Sequence, residues 1–228
     1  MKKYLLIITT ALLSLMLLSC SSLTKATAFQ GMYDENPVVM LIMPPINNSS
    51  NVEAKDYFYT TMNVPLAEAG YYVIPPATAL ATLQRESAYD SERFINGDLA
   101  AFRKMFGADV AVFTIIKSWN KQMLSSQIVI EIEYVFKSTK SNEVLYRRDA
   151  TIICDTAVSR GSSSSLGGLL FQAAANAVKT AVTDYVSVAI MCNKTALVDL
   201  PLGKYHPKYG TDSEGYAYPL VIRMKASK

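Results

Sequence analysis

The chain has 228 residues, 50% of them hydrophobic and 18% charged. That is too apolar for a disordered chain, too polar for a bundle of membrane helices, and sufficient for the core of one globular domain. The formal charge of +3 falls to +1 once Lys2 and Lys3 are set aside, and the remaining basic residues are scattered, which argues against nucleic acid as a partner because that needs a clustered cationic face.

Met1-Lys2-Lys3 is followed by Tyr4 to Leu18 without a charge. As a helix this stretch extends about 22 Å at about 1.5 Å per residue, short of the roughly 30 Å hydrocarbon core of a bilayer. Residues 1–19 therefore read as a cleaved signal peptide, with an uncleaved anchor as the alternative. Leu17-Leu18-Ser19-Cys20 resembles the lipobox of bacterial lipoproteins. The resemblance implies cleavage before Cys20, a diacylglycerol on its thiol and a further acyl group, such as palmitate, on its amine. Two or more chains, at about 0.8 kcal/mol per buried methylene, hold a protein on a membrane. Ser21 stands where an aspartate would, by the sorting rule of enteric bacteria, retain the protein in the inner membrane, so the expected address is the outer membrane, facing the periplasm. The other reading leaves Cys20 as an ordinary residue after a conventional signal. Ser21 to Asn36 shows no hydrophobic period and reads as part of a lipidated tether over 20–36, with a reach of roughly 50 Å.

Residues 37–228 read as one α/β periplasmic domain. Val38 to Met43, closed by Pro44-Pro45, and Tyr71 to Ile74, closed by Pro75-Pro76, are apolar runs without alternation. Such runs suit parallel strands covered on both faces, and each proline pair is expected to end its ladder. Ala54 to Ala69 between them carries a helical stripe, interrupted at Pro65 and stopped by Gly70. Helices are expected over Thr78 to Glu86 and over Asp98 to Phe106, the latter capped by Asp98 and closed by Gly107. Val110 to Ile116 reads as a central strand. Gln127 to Tyr134 alternates and pairs with Glu143 to Cys154, a turn centred on Lys140 placing Glu133 opposite Arg147.

A Gly- and Ser-rich stretch, 161–168, leads to a long helix over about Leu169 to Cys192. The segment from Pro201 to Pro219 is rich in Gly, Pro and Tyr, and Leu220 to Met224 reads as an edge strand. The expected fold is α/β: a mixed sheet, parallel in its first half and an antiparallel meander in its second, with helices packed against it.

Met43-Pro44-Pro45-Ile46-Asn47-Asn48, Leu66 to Pro75 and Phe106-Gly107-Ala108-Asp109-Val110, together with the lipobox, resemble an uncharacterised family of bacterial lipoproteins known from a meningococcal genome-derived antigen. More remotely, that family is similar to the curli-secretion-pore lipoprotein and to the amino-terminal domain of the Tol-system propeller protein. The resemblance implies a fold and an envelope setting; it carries no catalytic motif.

Chemistry is sparse. A hydrolase would depend on the single histidine, His206, meeting a serine such as those at 162–165, but no G-x-S-x-G elbow is present. The serine cluster lacks phosphate-loop spacing. No C-x-x-C or H-x-x-x-H occurs, so neither a metal nor a cofactor is expected. Glu131 and Glu133 share one strand face and read as a solvated face rather than a glycosidase pair. Cys154 and Cys192 admit two readings, a disulfide formed in the oxidising envelope or two buried thiols.

Tyr205, Tyr209, Tyr216 and Tyr218, interleaved with Lys204 and Lys208, form the most partner-like stretch, because tyrosine buries a large rigid surface and keeps a polar tip. The alternative is a tail packed back on its own sheet. The loop at Asn47 and Asn48 is a second candidate surface. The leading functional expectation is a non-enzymatic accessory or assembly lipoprotein of an outer-membrane complex, with a secretion-pore lipoprotein of the curli type among its possible partners. A peptidoglycan-binding or small-molecule-binding module is the alternative, and a hydrolase the third.

Overall fold

The computed structural model describes residues 23–122, 127–155 and 185–226. Among them run α1 (Lys25–Ala28), α2 (Gln30–Glu35), β1 (Val39–Ile42), β2 (Ile46–Asn47), α3 (Ala54–Thr61), α4 (Asn63–Glu68), β3 (Tyr72–Val73), α5 (Pro76–Arg85), α6 (Ser91–Phe94), α7 (Ala100–Phe106), β4 (Val110–Gln122), β5 (Gln127–Ser138), β6 (Val144–Asp155), α8 (Tyr185–Ala196) and β7 (Val221–Ala226). The strands form one seven-stranded sheet in the order β3-β1-β4-β5-β6-β7, with β2 also on β4. β1 is parallel to β3 and β4, the β4-β5-β6 meander is antiparallel, and β7 returns parallel to β6. The fold is the mixed α/β arrangement expected from the sequence.

Unbroken apolar runs become central strands because each side chain has a core to enter. Met40 and Ile42 of β1 join one core, where Met62 of the α3–α4 junction, Leu66 of α4 and Cys192 of α8 also pack. Leu41 and Met43 point the other way, into a second core with Leu83 of α5 and Phe102 of α7. Val112 and Phe113 of β4 divide in the same manner. On β5, Ile128, Ile130, Ile132 and Tyr134 enter the first core, while Glu131 is exposed and Glu133 half-buried on the other face.

Three local expectations are corrected. The Pro44-Pro45 pair interrupts the ladder without ending it: Met43 N–H still reaches the Val112 carbonyl at 3.0 Å, and β2 resumes on Ile115 and Ile116 of the same strand. A pyrrolidine ring lacks the N–H but leaves its neighbours free to pair. Glu133 lies across from Asp149, and Arg147 across from Val135, because the turn closes with Ser138 N–H on the Glu143 carbonyl rather than centring on Lys140, and the ladder slips by one more residue between Phe136 and Lys137. Arg147 Nε nevertheless reaches diagonally to Glu133 Oε1 at 2.8 Å.

Residues 24–35, expected within the tether, are folded. Thr24 caps α1, and residues 25–35 form two short helices that place Phe29 and Met32 in the core, 6% and 3% exposed. Phe29 stands at the break between the two helices and Met32 in the first turn of the second, a pair that the polar residues around them hide in the sequence. The helix expected over Ala54 to Ala69 is split at Met62, with Pro65 in the first turn of α4, where its missing N–H is tolerated. α8 continues to Ala196; the earlier part of the long helix and the serine cluster lie outside the described residues.

Candidate functional site

The outer face of the meander carries a charge network built by strand register. Lys117 occupies an irregularity of β4 between Ile116 and Ser118, and its ammonium donates to Asp149 Oδ2 at 2.6 Å and pairs with Glu133 Oε2 at 3.1 Å. Burial pushes the Glu133 carboxyl up, but the hydrogen bonds from Arg147 and Lys117 outweigh it and hold the group below its ordinary value. A carboxylate lowered on folding contributes stability that is full above the unfolded value and lost as pH falls through the folded one. The stability of the parent chain is therefore expected to fall more steeply than that of Glu133→Gln as pH drops below about 5, read by urea midpoints across an acid series. Glu131 accepts from Ser118 Oγ at 3.1 Å and joins no such network.

The candidate loop is held by its own side chains. Asn47 Nδ2 donates to the Asn51 carbonyl at 2.8 Å, while Asn47 Oδ1 accepts from Ser49 Oγ at 2.7 Å and from Ser49 N–H at 3.1 Å. Asn47 is thus a loop staple, whereas the Asn48 side chain is exposed. Past this loop, an open recess of about 440 Å³ is bordered by Ser50, Asn51, Trp119, Asn120, Lys121 and Tyr185. Lys121 Nζ lies 4.5 Å from the centre of the Tyr185 ring.

The four candidate tyrosines fall into two groups. Tyr205 is 66% exposed beside Gly70, its N–H bonded to the Gly70 carbonyl at 2.9 Å. Tyr209 donates to Asn36 Oδ1 at 2.7 Å and borders a small cavity of about 120 Å³ together with Tyr33 and Tyr71. Tyr216 and Tyr218 stack edge to face, ring centres 5.1 Å apart, on another part of the surface. There Tyr216 bridges to Thr24, and Tyr218 lines a groove of about 270 Å³ with Leu23, Val144 and Leu220. The tail is thus docked on the domain and leaves two separate aromatic patches exposed.

His206 is half-buried, and its Nδ1 accepts from Lys208 N–H at 3.0 Å. Among the described residues, no group of three or more His, Cys, Asp or Glu is arranged to hold a metal, and no helix is long and apolar enough to cross a membrane.

Cys154 and Cys192 are buried free thiols. Burial pushes the Cys154 thiol up to about 11, and it raises Cys192 as well, with Cys154 adding to that shift. A thiol held protonated is a poor nucleophile. In the native chain both are expected to resist iodoacetamide at neutral pH, and both to react once urea unfolds it, as counted by intact mass. A mass lower by two hydrogens and no alkylation before reduction would instead reveal a bond.

Sequence reasoning missed the buried ion pair between Arg148 of β6 and Asp199, 0% and 2% exposed. The signal was present: Tyr146, Ala150, Ile152 and Cys154 alternate inward, so Arg148 must point inward with them.

The curated "Putative lipoprotein NMB1124/NMB1162" of Neisseria meningitidis serogroup B is 25% identical over 182 residues, 76% of this chain and 81% of that protein. The crystal structure of lipoprotein GNA1162 from Neisseria meningitidis aligns at a TM-score of 0.47 with 24% identity, over 63% of this chain and 99% of that one. A PelC dodecamer from Paraburkholderia phytofirmans aligns at a TM-score of 0.41 with 11% identity, over 72% and 87% of the two chains. The family model "Putative lipoprotein GNA1162-like" matches residues 27–202, and the chain belongs to that family.

Proposed function

We propose that this protein is a non-catalytic lipoprotein of the outer membrane, facing the periplasm, that serves as an accessory or assembly subunit of an envelope complex, with secretion among its settings. Membership of a lipoprotein family carries the reading, and Leu17-Leu18-Ser19-Cys20 supplies the attachment point. In this reading residues 1–19 are removed as a signal peptide, Cys20 bears the lipid, and the folded body follows. The work done is confinement: a domain held in a thin layer meets its neighbours at a raised effective concentration without any new contact. Tyr205 and Tyr209 offer one contact surface and Asn48 another.

Metabolic labelling with a radioactive fatty acid is expected to tag the parent chain and leave Cys20→Ala unlabelled and released from membranes. Equal labelling of the two would overturn the reading. The partner set is best tested by crosslinking Tyr205→Ala with Tyr209→Ala, because cutting the chain after Leu200 would also remove β7 from the sheet.

A further inference from the structure

We infer that the surface around the Leu23 groove lies against the phospholipid layer to which Cys20 is attached; this rests on the lipoprotein reading above. The chain is fixed to the body from Leu23 onward. The Leu23 carbonyl accepts from Ala217 N–H at 2.8 Å, Lys25 N–H bonds to the Gly215 carbonyl at 2.8 Å, and Ala26 N–H bonds to the Ser213 carbonyl at 2.9 Å. Only three peptide units therefore separate Cys20 from a residue of the folded body. Three units span at most about 11 Å, so whatever surface surrounds Leu23 sits at the membrane.

That surface has the composition of a lipid contact. Leu23 is 43% exposed, Val144 48%, Tyr216 57%, Leu220 53% and Val221 66%. Leu23, Val144 and Leu220 rim the groove, whose floor includes Phe29. Tyrosine and leucine settle at the boundary between headgroups and acyl chains, the ring buried and the hydroxyl wet. Arg223 and Lys225 of β7 are exposed on the strand that Val221 begins, while Arg147, which lines the groove, is paired with Glu133. Two nearby acids, Glu133 and Asp149, are paired with Arg147 and Lys117, and Glu143 is an exposed acid next to Val144. The cations complement a layer containing phosphatidylglycerol.

The test uses the full lipidated chain in vesicles of phosphatidylethanolamine and phosphatidylglycerol, carrying an environment-sensitive fluorophore on Val221→Cys. Cys154 and Cys192 are buried, so the introduced thiol takes the label. A parallel label on Val52→Cys serves as the reference, since Val52 is 78% exposed and follows Asn51 of the open recess. The Val221 label is expected to emit further to the blue, to lose several-fold in quenching by iodide, and to be quenched by lipids brominated near the headgroup; the Val52 label is expected to stay wet. If the Val221→Cys chain melts below the parent, Leu220→Cys replaces it.

A Val221 label as accessible as the Val52 label, on a chain whose mass carries the lipid, would overturn the inference and leave the lipoprotein reading standing. A chain without lipid on Cys20 would overturn both. Shielding that persists without vesicles, or that brominated lipids fail to quench, would assign the surface to a second copy or another protein and overturn the lipid contact.

Discussion

Asp199→Asn is expected to destabilise the domain by about 3–5 kcal/mol, because it leaves a buried guanidinium without its counter-charge. Asp199 receives Arg148 Nη2 on both oxygens, at 2.6 and 2.5 Å. It also accepts from Tyr146 Oη at 3.2 Å and from Tyr218 N–H at 2.7 Å, while Arg148 donates to the Pro219 carbonyl. One carboxylate thus joins β6, the end of α8 and the entry to β7. At this chain length the loss corresponds to a melting point lower by about 10 °C, measured by calorimetry. Arg147→Ala, one residue away but 54% exposed at its side chain, is expected to cost under about 1 kcal/mol. The apolar double variant Arg148→Met with Asp199→Leu should recover only part of the loss, since Tyr218 N–H would still lose its acceptor and Tyr146 Oη would keep only the Ala196 carbonyl at 3.5 Å.

The second large effect is expected at Gly70. Its φ is +87°, and a Cβ there would lie 2.3 Å from His206 N and 2.6 Å from His206 Cβ. The neighbouring Gly203 is equally confined, a Cβ on it meeting the Gly70 carbonyl oxygen at 2.6 Å. Two glycines let the tail run against the turn after α4, tied by Gly203 N–H to the Ala69 carbonyl at 2.7 Å. Gly70→Ala combines left-handed strain of about 1–3 kcal/mol with displacement of this contact. Hydrogen exchange should show the amides of Gly203 and Tyr205 losing protection before those of β5. Gly107→Ala is the control: φ is +64° there as well, but the space is open, so only strain of about 1 kcal/mol is expected.

The strands were legible because their side chains obey a period that local sequence records. Alternation in Gln127 to Tyr134 and the continuous run in Val38 to Met43 are direct consequences of one buried face and two. Register was not legible. The slip between Phe136 and Lys137, and the irregularity at Lys117, depend on how the turn closes and on what each strand meets across the ladder. The same limit explains Thr24 to Asn36, whose polar composition reads as linker although two of its side chains complete the core. It explains the tyrosines as well: composition marks them as partner-like, yet only the folded tail separates Tyr205 and Tyr209 from Tyr216 and Tyr218.

By itself the sequence determined most strands and helices from Val38 onward, the mixed sheet and the family. These properties rest on side-chain periodicity and short motifs, which are written within a few residues of each other. Tertiary structure alone decided that residues 24–35 fold onto the core, that Arg148 and Asp199 meet across 51 residues of chain, and which exposed apolar groups gather beside Leu23. Those outcomes are set by burial against distant segments, and a contact between distant segments leaves no local pattern to read.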